Sequence, residues 1–165
     1  MGEVKSSEGL TAQLCLLCVD DEVNILNALK RLFRREPFGV VTATSGEEGL
    51  FILRHNPSIG MILSDQRMPG LSGSAFLEVA KALFPHIPRM ILTGYADIQS
   101  EHRSVVHGGA CSLLAKPWDD QELLRAVRSR MYGGNGECGG EERDWHGIHG
   151  TRQTADPPEQ LQREG

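Results

Sequence analysis

Residues 61–70 read MILSDQRMPG, and this short stretch is the best guide to the fold of the chain. The apolar run ending at Leu63 predicts a buried strand, and Met68-Pro69-Gly70 predicts a sharp turn soon after it. Asp65 stands between them, at the end of the strand. Because a carboxylate is costly to bury unless it is paired, we interpret Asp65 as a candidate functional residue.

Short apolar runs alternate with amphipathic segments on both sides of this stretch. The predicted strands cover residues 14–19, 40–44, 60–63, 89–93 and 111–115. The predicted helices cover residues 22–35, 45–55, 72–84, 98–107 and 119–131. Ser45 with Glu48, and Asp119 with Glu122, have the spacing of a capping box, which favours a helix beginning at each.

Five strand–helix pairs in strict alternation predict an α/β fold, with a doubly wound parallel sheet covered by helices on both faces. A closed barrel is excluded because it would take eight such pairs. Two predicted helices have apolar residues at helical spacing, which predicts a buried face on each. These residues are Val23, Leu26, Leu29 and Phe33 in the first helix, and Phe76, Ala80 and Leu83 in the third.

Polar residues follow four of the five predicted strands at the point where each strand ends. They are Asp20 and Asp21 after the first strand, Asp65 after the third, Thr93 after the fourth and Lys116 after the fifth. The carboxyl ends of parallel strands lie along one edge of a sheet, where ligand sites form. We therefore expect these five side chains to converge.

Three carboxylates placed close together raise one another's pKa values, and a hard divalent cation relieves their repulsion. Mg²⁺ suits a site of few carboxylates that also binds a phosphate. Lys116 can hold phosphate oxygens, and Thr93 can donate a hydrogen bond to one. The set therefore predicts phosphoryl transfer, with Asp65 as the nucleophile.

Four sequence blocks resemble the signature blocks of the receiver domain of two-component response regulators. They are CVDDE (18–22), LSDQRMPG (63–70), LTGYAD (92–97) and LAKPW (114–118). The resemblance covers about residues 13–131. It implies a fold like that of the chemotaxis regulators, which is flavodoxin-like, with strand order 2-1-3-4-5 and five helices.

The resemblance also implies roles for individual residues. Asp65 would accept a phosphoryl group from a sensor histidine kinase or a histidine phosphotransfer protein. Mg²⁺ would be bound by Asp21 and Asp65, by Asp20 through water, and by the backbone carbonyl of Arg67. Thr93 and Lys116 would contact the phosphoryl group. The Lys116-Pro117 bond would be cis.

Phosphorylation would change a protein-binding face formed by the fourth helix, fifth strand and fifth helix, through which a downstream target would bind. The chain would be a signalling switch that catalyses its own phosphorylation and dephosphorylation, rather than a metabolic enzyme. The DQRMPG, TGYAD and KPW variants resemble receivers of HD-GYP-type and hydrogenase-type regulators. The kinase, the stimulus, the output and a homodimer are left open.

Two alternatives come from other classes of protein. Receivers commonly carry Tyr or Phe three residues before the lysine, whereas this chain has Leu113. A pseudo-receiver that is not phosphorylated and acts only as a docking module is therefore the main alternative. A phosphatase of the haloacid dehalogenase type needs a second Asp two residues after the first, where this chain has Arg67.

Composition limits the remaining possibilities. The chain of 165 residues carries a formal net charge of −5, yet residues 13–131 contain 13 Lys and Arg against 13 Asp and Glu. A neutral body argues against direct nucleic-acid binding. The absence of a long apolar run and of a secretory signal predicts a cytoplasmic protein that is not in a membrane.

The two ends of the chain differ from its body. Residues 1–12 lack periodicity and predict a flexible lead-in, and the glycine-rich residues 132–165 predict a disordered tail without an output domain. Cys15 and Cys18 form a C-x-x-C motif, which could be a redox pair or half of a zinc site. Because strand residues three apart point to opposite faces, we interpret both cysteines as core residues.

Overall fold

The computed structural model describes residues 13–94 and 112–133. Its strands are β1 (Cys15–Val19), β2 (Gly39–Ala43), β3 (Ile59–Asp65), β4 (Arg89–Gly94) and β5 (Ser112–Lys116). Its helices are α1 (Val23–Leu32), α2 (Gly46–His55), α3 (Gly73–Leu83) and α4 (Asp120–Tyr132). The helix predicted at 98–107, the predicted lead-in and residues 134–165 of the predicted tail lie outside the described residues, so α4 is the helix predicted fifth.

The five strands form one parallel sheet in the order β2-β1-β3-β4-β5. This confirms the predicted order 2-1-3-4-5. Strand β3 lies at the centre and pairs with β1 on one side and β4 on the other. The order reverses between β1 and β3, and the carboxyl ends of these two strands carry the acidic residues of the sequence blocks.

A separate apolar core lies on each face of the sheet, as expected for a doubly wound fold. Helices α2 and α3 cover one core, which includes Leu53, Phe76 and Leu17. Helices α1 and α4 cover the other, which includes Leu29 and Leu123. Alternate residues of β1 and β3 point to opposite cores, so the two central strands are buried on both faces.

The two cysteines of β1 belong to opposite cores, as predicted. Cys15 packs at the margin of the core under α2 and α3, while Cys18 is buried in the core under α1 and α4. Burial raises the pKa of the Cys18 thiol far above its ordinary value. Cys18 is therefore a packing residue, since only a thiolate is a reactive nucleophile or metal ligand.

Two residues assigned to buried helix faces from their spacing are exposed. Val23 is 58% exposed and Leu83 is 46% exposed. Val23 is the first residue of α1 and Leu83 is the last residue of α3. Each therefore has a helical turn on one side only, and its side chain is less covered. The spacing rule was wrong at these helix ends, while Leu26, Leu29 and Phe76 are buried.

Both predicted capping residues begin a helix. The Ser45 hydroxyl accepts a hydrogen bond from the Glu48 backbone N–H at 3.1 Å, and the Asp119 carboxylate accepts one from the Glu122 N–H at 2.9 Å. Helix α1 ends at Leu32, three residues before the predicted end. Within the described ranges no helix has both the length and the apolar character needed to cross a membrane.

The two ends of the described chain meet at the amino edge of the sheet, on the side opposite the acidic residues. A Cβ placed on Gly60, near the start of β3, would lie 3.1 Å from Leu14 Cδ2 and 3.4 Å from Met131 Sδ. Leu14 directly precedes β1, and Met131 lies in the last turn of α4. A glycine at this position therefore leaves room for a residue from each end.

Replacing Phe76 by alanine tests how much the core under α2 and α3 contributes to stability. Phe76 is fully buried, whereas Phe51 on α2 is 63% exposed. We expect Phe76→Ala to lower the free energy of unfolding by about 3–5 kcal/mol, because the cavity forms in a packed core. Phe51→Ala, the matched control, should change it by about 0.5 kcal/mol at most. Urea unfolding followed by circular dichroism measures both, and equal losses would contradict this description of the core.

Candidate acidic site at the carboxyl edge of the sheet

Three carboxylates meet at the carboxyl edge of the sheet, as predicted from the residues that follow β1 and β3. Asp20 and Asp21 directly follow β1, and Asp65 is the last residue of β3. One carboxylate oxygen from each lies within 4.8 Å of the other two. Asp20 is buried, Asp65 is partly buried and Asp21 is exposed, so the cluster opens to solvent on one side.

The Lys116 side chain, at the end of β5, bridges two of these carboxylates. Its Nζ donates a hydrogen bond to Asp20 Oδ2 at 2.9 Å and another to Asp65 Oδ1 at 2.8 Å. Its neighbour Pro117 follows a cis peptide bond, as expected from the sequence blocks. Lys116 is 96 positions from Asp20 and 51 positions from Asp65 in the chain. Its charge neutralises part of the acidic charge of the cluster.

The pKa values of the bridged groups shift for identifiable reasons. Burial raises the pKa of Asp65, and the Asp20 charge adds to this, while Lys116 opposes it with a weaker combined effect. Burial acts to lower the pKa of Lys116, but its hydrogen bonds and charge contacts with Asp65 and Asp20 together outweigh burial and raise it. Lys116 therefore stays charged at neutral pH.

Asp20 is held in place from both of its carboxylate oxygens. Its Oδ1 accepts a hydrogen bond from the backbone N–H of Glu22 at 2.9 Å, while its Oδ2 accepts one from Lys116. Glu22 is the N-cap of α1 and makes no side-chain capping bond of its own. The Asp20 carboxylate thus lies at the amino end of a helix, where negative charge is favourable.

Thr93 lies one residue before the end of β4, and its hydroxyl is buried without a partner. The residue is 1% exposed, and its Oγ1 has no hydrogen-bond partner among the described residues. Buried hydroxyl groups in proteins are almost always hydrogen-bonded. An unpaired hydroxyl close to the edge where Asp65 and Lys116 end their strands is able to bind an incoming oxygen.

The loop after β3 turns sharply and packs closely under Asp65. Gly70 has φ of +78°, the left-handed region that glycine adopts readily. A Cβ on Gly73 would overlap the backbone carbonyl oxygen of Asp65, so the first residue of α3 has to be glycine for this approach. Arg67 is exposed in this loop. The role of its carbonyl as a metal ligand stays a prediction.

Two features of the site were not found from the sequence. Gln66, directly after Asp65, is buried and its side chain is hydrogen-bonded to Ser74. Gly73 reads as an ordinary helix start, because nothing local shows that a strand carbonyl lies against it. The sequence shows only that Gln66 is a polar residue next to the candidate nucleophile. It does not show that Ser74 is its hydrogen-bond partner.

Leu113, which stands where receivers commonly have an aromatic residue, is 5% exposed. It lies in β5 opposite Ile91 of β4 and belongs to the core under α2 and α3. Leucine has neither a ring nor a hydroxyl, and this side chain is packed in the core. The expectation that this chain lacks the usual aromatic switch residue follows from its sequence, and its packing agrees with it.

The donor set suits a hard divalent cation. Carboxylate oxygens are the ligands that Mg²⁺ prefers in proteins, and three of them converge here with one side open to solvent. The side-chain nitrogen bonded to this cluster is the Lys116 ammonium, which cannot coordinate a metal while charged. The residues present therefore fit Mg²⁺ together with its remaining water ligands.

Known proteins resemble this chain in sequence and in structure. A family model described as the response regulator receiver domain matches residues 16–128. The hydrogenase transcriptional regulatory protein HoxA of Cupriavidus necator is 34% identical over 145 residues, which cover 88% of this chain and 29% of that protein. The chain thus spans less than a third of the length of this curated relative.

Two solved structures have the same fold. A response regulator receiver domain protein from Clostridium thermocellum has a TM-score of 0.66 and 35% identity, covering 72% of this chain and 94% of its own. The signal receiver domain of an HD domain-containing protein from Pseudomonas fluorescens has a TM-score of 0.66 and 28% identity, with the same coverage of 72% and 94%. A hydrogenase regulator and an HD-domain protein are thus among the similar proteins, as the sequence variants indicated.

Asp65→Asn tests the electrostatic cost of the cluster. Folded Asp65 holds its proton more tightly than unfolded Asp65, so the free energy of unfolding falls as pH rises from the ordinary pKa through the raised one. In EDTA at neutral pH, Asp65→Asn should therefore be more stable than the wild type. This gain should shrink as the pH is lowered through the raised pKa, because the wild-type carboxyl then becomes protonated. Urea unfolding across this pH range measures the effect, and a gain that does not vary with pH would contradict it.

Proposed function

This chain belongs to the response regulator receiver family, and from that premise we propose that Asp65 is its phosphoryl acceptor. The observation that carries the proposal is the position of Asp65 at the carboxyl end of β3, with Lys116 Nζ 2.8 Å from its Oδ1. A partly exposed carboxylate beside a fixed cation can approach a phosphorus atom without strong repulsion from the phosphoryl oxygens. The receiver unit would span residues 13–131.

Receivers bind Mg²⁺ at an acidic pocket, and we infer that Asp20, Asp21 and Asp65 form that pocket here. Their convergence within 4.8 Å supports this inference. The Arg67 carbonyl would be a further ligand, and Asp20 would act through water. When bound, Mg²⁺ supplies positive charge that offsets the charge of the transferring phosphoryl group.

The proposed transfer is a displacement at phosphorus. A carboxylate oxygen of Asp65 forms a bond to the phosphorus of a phosphohistidine as the phosphorus–nitrogen bond breaks. The electron pair of that bond stays on the imidazole nitrogen, and the product is an aspartyl phosphate. Lys116 moves its hydrogen bond from the Asp65 carboxylate to a phosphoryl oxygen, which keeps the new charge paired. Attack by water on the same phosphorus returns the carboxylate and releases inorganic phosphate.

Thr93 would form a hydrogen bond with the aspartyl phosphate once it is made. Its buried hydroxyl lacks a partner among the described residues, so a phosphoryl oxygen offers it a hydrogen bond that the unmodified site does not. Formation of this hydrogen bond would draw Thr93 inward and change a surface built from β5, α4 and the helix predicted at 98–107. Receivers act with kinases and downstream effectors. The partners proposed here are a sensor histidine kinase or histidine phosphotransfer protein and a target protein that binds this surface, in the cytoplasm.

Intact mass spectrometry tests the acceptor. After incubation with acetyl phosphate and Mg²⁺, the wild-type chain should gain the mass of one phosphoryl group, and Asp65→Asn should not, because the amide is not a nucleophile at neutral pH. Asp119→Asn is the matched control, since asparagine also caps a helix and Asp119 is outside the cluster. Modification of Asp65→Asn would refute the assignment. A wild type that gains no mass would favour the docking-module alternative, with Leu113 as its sequence signal.

Thr93→Val tests the role of the hydroxyl. Because the hydroxyl is buried and unpaired, a methyl group of the same shape should leave the unmodified chain as stable or raise its free energy of unfolding by up to about 2 kcal/mol. In the presence of Mg²⁺ and beryllofluoride, the variant should gain less thermal stability than the wild type. Thr93→Ser keeps the hydroxyl and should restore most of that gain. An equal gain in Thr93→Val and wild type would show that Thr93 does not contact the phosphoryl group.

A further inference from the structure

Gln66 follows the proposed acceptor directly and is 6% exposed. Its side-chain Oε1 accepts a hydrogen bond from the Ser74 backbone N–H at 3.0 Å and another from the Ser74 hydroxyl at 2.7 Å. Both donors belong to the first turn of α3. The side chain therefore ties the end of β3 to the start of the following helix, across a gap of eight residues in the chain.

The backbone of Gln66 is held as well. Its carbonyl accepts a hydrogen bond from the Gly73 N–H at 2.9 Å, and Gly73 is the residue whose missing side chain lets α3 lie against Asp65. Gln66 directly follows Asp65, the last residue of β3. One residue thus connects the acceptor to the amino end of α3 through both its backbone and its side chain.

These contacts provide acceptors for the free backbone N–H groups at the amino end of α3. The first backbone N–H of the helix donates to the Gln66 carbonyl, the second donates to Gln66 Oε1, and the third donates to the Ser72 hydroxyl at 3.3 Å. Helices commonly leave these groups to a cap or to water. Ser72 already supplies the ordinary cap, so the additional contacts of Gln66 fix the strand end relative to the helix.

We propose that Gln66 is a positioning residue, which uses its contacts with Ser74 to hold the Asp65 carboxylate and the adjacent loop in the geometry that phosphoryl transfer needs. This role is indirect and needs no contact between Gln66 and the phosphoryl group. The inference rests on the proposed function of Asp65. It also extends to Mg²⁺, because the loop that Gln66 anchors carries Arg67, whose carbonyl is the proposed ligand.

Gln66→Met is the main test, because methionine keeps the length of the side chain and removes its amide, both the Oε1 acceptor and the Nε2 donor, while the Ser74 variants isolate the contacts of Oε1. Ser74→Ala removes one of the two donors and keeps the other, and Ser74→Thr restores a hydroxyl. The matched control is Ser72→Ala, which removes a hydrogen bond from the same helix end without touching Gln66. The measurements are thermal stability, the Mg²⁺ dissociation constant and the rate constant of phosphorylation by acetyl phosphate at saturating Mg²⁺. Trp118 fluorescence, with Trp145 replaced by phenylalanine, reports Mg²⁺ binding.

We expect Gln66→Met to lower the saturating rate constant about tenfold, because small displacements of a reacting group are costly, and to weaken Mg²⁺ binding several-fold. Ser74→Ala should show a smaller decrease in the same rate constant, and Ser74→Thr should recover it. Ser72→Ala should lower thermal stability while keeping the wild-type rate constant and Mg²⁺ affinity. A purely structural role would change stability alone.

Two results would overturn the inference. One is a wild-type rate constant and Mg²⁺ affinity in Gln66→Met, and the other is an equal decrease in Ser72→Ala. If Gln66→Met does not fold, Ser74→Ala decides the question, since a wild-type rate constant in that variant excludes the proposed role. A wild-type chain that is neither phosphorylated nor responsive to Mg²⁺ would remove the proposed function itself, which is a distinct outcome.

Discussion

The Lys116 ammonium lies between two carboxylates that would otherwise repel each other, 2.9 Å from Asp20 and 2.8 Å from Asp65. The parallel sheet creates this situation, because it brings the ends of β1, β3 and β5 to one edge whatever charges they carry. The Lys116 charge reduces the repulsion between the carboxylates in the folded state, yet the pKa of Asp65 stays raised. The site is therefore folded with its charges incompletely balanced, and in the proposed function a divalent cation and a phosphoryl group complete the balance.

Most of the site could be predicted because its residues are placed by topology. A residue that directly follows a parallel strand lies at the carboxyl edge, so Asp21, Asp65 and Lys116 needed no knowledge of side-chain packing. The alternation of strands and helices followed from the apolar runs and the helical spacing, and the strand order from the resemblance to receiver domains. The helix predicted at 98–107, the predicted lead-in and residues 134–165 of the predicted tail lie outside the described residues and stay predictions, whereas Tyr132, assigned to the tail, is the last residue of α4.

What the sequence did not reveal depends on distances between elements. Gly73 matters because α3 approaches the carbonyl of Asp65, and periodicity carries no information about that distance. Val23 and Leu83 were misassigned because spacing defines a helix face but not how far the sheet extends beneath it. Arg89 is a different case: it is 2% exposed at the start of β4, where its guanidinium donates a hydrogen bond to the nearby Ile87 carbonyl at 2.6 Å. This contact is local, yet hydrophobic spacing does not predict that a charged residue is buried at the start of a strand.

Leu14 and Met131 meet at Gly60, which brings both ends of the described chain to one edge of the sheet. Both ends of the described chain lie near the amino edge of the sheet, whereas Asp65 lies five residues farther along β3, about 16 Å away at the usual rise of a strand. The acidic cluster therefore opens at the edge of the sheet opposite to both described ends. Under the proposed function, a phosphoryl group would arrive at one edge while the chain enters and leaves the domain at the other, so the strands and the helices packed on them would connect the two edges.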